Sequence, residues 1–165
     1  MRLKPDNPIL PQSDTPFSSI GQQAKNWLPV IAWAGVIFYF STEHFSSFNT
    51  FKMLADLMWW IFPAAPGEQI ESANLLTRKM GHWSEYFVLC LLFWRAYRNG
   101  SNKIWQAHWA TWSLSWVLLY AVSDEVHQAF VPSRTAAVGD VLLDFFGGVC
   151  AVLWIYARKA RTQGS

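Results

Sequence analysis

The sequence predicts an all-α, polytopic membrane protein: a four-transmembrane-helix bundle with both termini cytoplasmic and a short interfacial helix in the first outer loop. Three observations predict it. Of 165 residues, 52% are hydrophobic, 17% aromatic and only 15% charged, too apolar a mixture for an ordinary soluble domain. Four stretches approach the roughly 20 mostly apolar residues that cross a hydrocarbon slab. None of them shows the period-two alternation of a membrane β-barrel. Mean hydropathy is only +0.12, because the tails are polar and because 11 Trp and 5 Tyr score low on hydropathy scales. Aromatic belts at membrane interfaces account for that excess.

Residues 1–23 carry Pro5, Pro8, Pro11 and Pro16 among Ser, Gln and Asp and predict a mobile cytoplasmic tail ahead of a transmembrane domain at 24–160. The first span runs from about Asn26 to Thr42. It follows a polar tail and precedes no small-residue cleavage pattern, so it reads as a span rather than a signal peptide. The outer loop, about Glu43 to Thr77, contains an apolar segment from Lys52 to Phe62 that is long enough to lie on a membrane surface and too short to cross it. Pro63 and Pro66-Gly67 end that segment. The remaining spans fall at about Met80 to Arg95, Lys103 to Ser123 and Ala136 to Ala157, the last two joined by an outer turn from Phe130 to Thr135.

On the third span Trp105, Trp109, Trp112 and Trp116 are spaced to share one face, which fits lipid contact better than a cofactor platform. On the fourth, Gly147-Gly148 and Ala151 give small-residue spacing that lets a neighbouring helix approach closely. Cys90 and Cys150 lie inside apolar helices and read as small buried hydrophobes rather than a disulfide. Nine of the 13 Lys and Arg border one side: Arg2, Lys4, Lys25, Arg95, Arg98, Lys103, Arg158, Lys159 and Arg161. The positive-inside rule makes that side cytoplasmic.

The other side holds ionisable residues within or beside the spans, where charge is costly and usually serves a purpose. On the second helix Arg78, His82 and Glu85 fall at i, i+4 and i+7, one stripe of cation, imidazole and carboxylate flanked by Lys79. On the third, Asp124, His127 and Gln128 share a face, with Glu125 about 100° round from Asp124. Asp140 and Asp144 are i and i+4 on the fourth, and the short turn carrying Arg134 makes these two helices antiparallel neighbours. Glu85, Asp124, Glu125, Asp140 and Asp144 outnumber Arg78, Lys79 and Arg134. Ion pairing alone favours balance, so a proton, a divalent cation or a cationic ligand is expected to share the site. Mg²⁺ or Ca²⁺ on two or three of Asp124, Glu125, Asp140 and Asp144 would grip a phosphate together with Arg78, Lys79, Gln128 and Arg134. His82 leads the candidates for proton transfer, with Glu85, Asp124 and His127 beside it. Zinc lacks any H-E-x-x-H-like spacing here, and no local motif supports Ser84 or Ser123 as a nucleophile. Spacing leaves catalysis and binding both open.

Three stretches then carry a resemblance: Lys79-x-x-His82-x-x-Glu85-Tyr86; Ser123-Asp124-Glu125-x-His127-Gln128-x-Phe130-Val131-Pro132-x-Arg134; and Asp140-Val141-Leu142-Leu143-Asp144-x-x-Gly147. Together with Phe40-Ser41, they resemble the signature of the VanZ-like family of small bacterial membrane proteins, over roughly residues 28–155. The resemblance implies a four-helix, multi-pass protein of the bacterial inner membrane. The family's founding member is associated with low-level resistance to the glycopeptide teicoplanin, a role that a family name does not transfer. Asp144 departs from the family pattern, which often has Asn there. The expected partner is a phosphate-bearing membrane lipid or lipid-linked cell-envelope precursor held at the outer face, and no nucleic acid. The alternative is a non-enzymatic structural or partner protein whose polar cluster only fixes helix packing.

Overall fold

The structure, a computed structural model, describes residues 20–132, 134 and 136–163. Most of the expected tail, residues 1–19, lies outside the described residues. Five α-helices follow in order: α1 (Ile20–Phe40), α2 (Ser47–Ile61), α3 (Gly67–Arg98), α4 (Ala107–Ala129) and α5 (Val138–Gln163), with a 3-10 turn at Glu43–Phe45 before α2. No strand occurs among the described residues.

Local chemistry sets the boundaries. Pro29 inside α1 cannot bond the carbonyl one turn earlier; that carbonyl, Lys25 O, faces Arg95 Nη2 at 3.5 Å. Ser46 caps α2, its Oγ accepting from the Asn49 amide at 3.4 Å. Pro66 stands at the N-cap of α3. Asn99 and Gly100, at φ 45° and 77°, end α3 in the left-handed conformation that closes helices. The sequence placed residues 67–77 in a loop, whereas they form the first turns of α3. At 32 residues α3 is about 48 Å long.

α3 is the hub, packed against α5, α1, α4 and α2. Ile37, Tyr86, Leu89, Cys90, Val117, Ala121 and Ala151 are wholly buried along its contacts. A Cβ on Gly147 would overlap the Trp83 carbonyl oxygen, and one on Gly148 would lie 2.9 Å from Val117 Cγ1. Small residues on α5 therefore let it approach the backbone of α3, as the spacing predicted. Tyr120 Oη donates to Ala34 O at 2.7 Å and Trp33 Nε1 to Glu85 O at 2.9 Å, tying α1 to α4 and α3.

Trp109, Trp112 and Trp116 share one face of α4, whereas Trp105 precedes the helix and packs on Trp94 and Tyr156. That face is not given over to lipid: Trp109 is buried against Trp94, and Trp116 stacks on Phe93 and donates to Tyr97 Oη at 2.6 Å. Among the described residues, Val138–Arg161 is the one helix long and apolar enough to cross a membrane by length and composition. The Trp, Tyr, Ser and ionisable residues of the other helices count against them on a hydropathy scale. Large apolar side chains nevertheless stand exposed on every α-helix, among them Leu28, Trp60, Leu76, Leu119 and Phe146.

Candidate functional site

The sequence stripes of α3, α4 and α5 converge at one end of the bundle, beside the C-terminus of α1. Lys25, Arg95, Arg98 and Lys103 lie toward the other end, where Asn26 Nδ2 donates to Asn99 Oδ1 at 2.7 Å. Close packing sets this register: the Gly147–Trp83 contact lies one residue past His82 and three past Asp144, so the two side chains meet.

His82 Nδ1 stands 3.5 Å from Asp144 Oδ1. Neither atom has a hydrogen-bond partner, so the pair is at ion-pair distance without a formed hydrogen bond. Asp124 completes a group in which His82, Asp124 and Asp144 each offer a ligand atom within 4.8 Å of the others. Asp124 is oriented from its own helix, its Oδ2 accepting from Gln128 Nε2 at 3.0 Å. Asp124, Gln128 and Asp144 are all buried.

Two cavities meet at His82. One, of about 250 Å³, is lined by Arg78, His82, Glu85 and Arg134 together with the apolar Phe40, Phe45 and Leu54. The i, i+4, i+7 stripe of α3 thus opens into one chamber. The other, of about 360 Å³, is bordered by Glu71, Arg78, Lys79, His82 and Asp140. Asn74, Arg78 and His82 form the wall between them.

The remaining charged residues have structural partners. Arg134 donates through Nη2 to the carbonyls of Phe40 and Thr42, capping the C-terminal end of α1 where cations are favoured. Burial lowers the pKa of its guanidinium, the nearby Arg78 acts in the same direction, and Asp124, Glu85 and Glu125 oppose both. Glu125 accepts from the Ala137 amide at the entry to α5, away from the three-residue group. Asp140 borders the second cavity and is electrostatically coupled to Arg78. The four acids considered for a cation therefore divide: Asp124 and Asp144 join His82, whereas Glu125 and Asp140 face elsewhere. His127 packs on the Phe38 ring at 4.7 Å. Ser84 and Ser123 are exposed and donate to carbonyls of their own helices, Gly81 O and Tyr120 O, both at 2.8 Å.

The family model described as VanZ/LLP1 matches residues 26–159. The chain belongs to the VanZ/LLP1 family. Comparison with curated proteins and with solved structures gave no match. The match to the VanZ/LLP1 model takes in both cavities and all three members of the central group. Two residues of this VanZ/LLP1 chain gain importance that the sequence did not assign them. Asn74, buried and bordering both cavities, extends the α3 stripe one turn back from Arg78, a spacing that could have revealed it. Tyr86, wholly buried with a hydroxyl lacking a hydrogen-bond partner, was visible only as the residue after Glu85.

Proposed function

We infer that this VanZ/LLP1 protein is a multi-pass membrane protein that binds, at the outer face of a bacterial inner membrane, the phosphate-bearing headgroup of a lipid or cell-envelope precursor. The observation that carries the reading is the mixed lining of the 250 Å³ cavity. Two arginines and a histidine share it with Phe40, Phe45 and Leu54, the lining an amphiphile with an anionic head needs. The exposed apolar side chains on every α-helix fit lipid contact, because soluble monomers rarely expose so much. In the membrane reading the basic end faces the cytoplasm and the cavity faces outward. Arg78 and Arg134, which line the cavity, hold phosphate oxygens, Lys79 borders the neighbouring cavity, Gln128 is turned instead to Asp124, and His82, with Glu85 and Asp124 beside it, is the first candidate to move a proton.

The test is binding of the purified chain in detergent to a phosphate-bearing amphiphile and to a neutral one of equal chain length, by native mass spectrometry. Preference for the phosphate-bearing amphiphile, reduced about tenfold or more by Arg78→Gln, is expected. Equal binding of both amphiphiles, or no effect of Arg78→Gln, overturns the reading. A second reading, a structural protein whose polar cluster only fixes packing, draws on the Arg134 and Glu125 contacts to backbone. It predicts that cluster substitutions lower thermal stability and that no ligand raises it.

A further inference from the structure

We propose that His82, Asp124 and Asp144 are the protein ligands of one divalent transition-metal ion, with Zn²⁺ the ion their donor set and spacing suit best. The residues come from α3, α4 and α5, and their donor atoms lie within 4.8 Å of one another. Two ligands about 2.0–2.1 Å from one zinc at a near-tetrahedral angle are about 3.4 Å apart. His82 Nδ1 and Asp144 Oδ1 are 3.5 Å apart. The gap therefore matches two donors around one ion, and the third donor, within 4.8 Å of both, comes into range by a shift of about an ångström in which Asp124 and Gln128 move together.

Burial is the independent argument. The Asp144 side chain is 2% exposed, and its Oδ1, like His82 Nδ1, has no hydrogen-bond partner. Orphaned polar atoms at such depth call for a ligand. Tyr86 Oη, on the same helix as His82, is a further buried atom without a hydrogen-bond partner. A His82–Asp144 ion pair balances one carboxylate, whereas a dication beside neutral imidazole balances both. Gln128 fixes the rotation of Asp124 by holding Oδ2, which leaves the other oxygen to the metal. One imidazole with two carboxylates favours a borderline ion over Mg²⁺ or Ca²⁺, which take all-oxygen sets. Three protein ligands leave one position open, and His82 borders both cavities. A phosphate oxygen in that position deepens the headgroup reading and rests on it; the three-ligand site does not.

The test uses the full chain in detergent, stripped with EDTA and titrated with Zn²⁺ by calorimetry and with Co²⁺ by visible absorption. One ion per chain is expected, with Zn²⁺ raising the unfolding midpoint. Asp144→Asn and Asp124→Asn are each expected to weaken binding about tenfold or more, while Glu68→Gln, in the first turn of α3 and outside both cavities, binds as the unaltered protein does. A folded unaltered chain that takes up neither ion overturns the proposal even where variants fail to fold. So does binding that both Asp124→Asn and Asp144→Asn leave intact. Retention of the phosphate preference in EDTA by a chain that binds no Zn²⁺ overturns the metal site alone and leaves the headgroup reading standing.

Discussion

Arg134 lies in the turn between α4 and α5, yet its guanidinium reaches the last carbonyls of α1 while lining the cavity. Both bonds leave from one nitrogen, Nη2, and a lysine, with a shorter stem and no guanidinium plane to aim its donors, does not reach that position. Arg134→Lys is expected to lower unfolding stability by about 1.5–3 kcal/mol, as lost charge-assisted hydrogen bonds do; denaturant titration in detergent measures it. Glu125 separates charge from hydrogen bonding. Glu125→Gln keeps an acceptor for the Ala137 amide and is expected to be milder than Glu125→Ala, which leaves that amide unpaired at about 1–3 kcal/mol. The same titration ranks the two. Helical spacing made the convergence of Arg78, His82 and Glu85 legible before any coordinates, because i, i+4 and i+7 must share a face. The partners of Arg134 and Glu125 were illegible, because a backbone carbonyl or amide carries no signature in the residue that supplies it. Each charged side chain could then only be read as available for a ligand.

Among the elements, α3 and α5 set the site by how closely they pass. Gly147 allows the approach, so Gly147→Ala, meeting the immobile carbonyl of Trp83, is expected to cost about 1–3 kcal/mol by overpacking. Gly81→Ala on α3, with open space around it, is expected to be neutral or to stabilise by up to about 1 kcal/mol through helix propensity. The two midpoints in one thermal series check the contrast, and equal effects would remove the close-approach account. The helical opening of α3 escaped the sequence reading because Glu68, Gln69, Glu71 and Asn74 are polar, and hydropathy cannot distinguish a loop from a helix outside the hydrocarbon. Residues 68–77 contain neither Pro nor Gly, and that lack of breakers was the better signal.

For the whole molecule, the separation of a basic end from a polar-cavity end predicts topology. A cysteine introduced at Ser101 is expected to react with an impermeant thiol reagent only after the inner membrane is opened, and one at Glu71 in cells whose inner membrane is intact. The reverse pattern would invert the orientation argued here, and the native Cys90 and Cys150 are replaced beforehand. The all-helical class and the helix order were legible in the apolar runs, whereas among the described residues only Val138–Arg161 is long and apolar enough to cross a membrane. Which acids would meet was not legible, because crossing distances between helices depend on glycine contacts that a single sequence suggests without fixing. The walls of the chamber come from α1, the 3-10 turn, α2, α3 and the turn before α5, and α5 reaches it only through Asp144, which stands behind His82. A nascent chain stalled before α5 would therefore carry every residue that lines the cavity and lack the carboxylate that faces His82. It would also lack Val138–Arg161, the one described helix long and apolar enough to cross a membrane, so truncation there separates the cavity lining from the clearest candidate span.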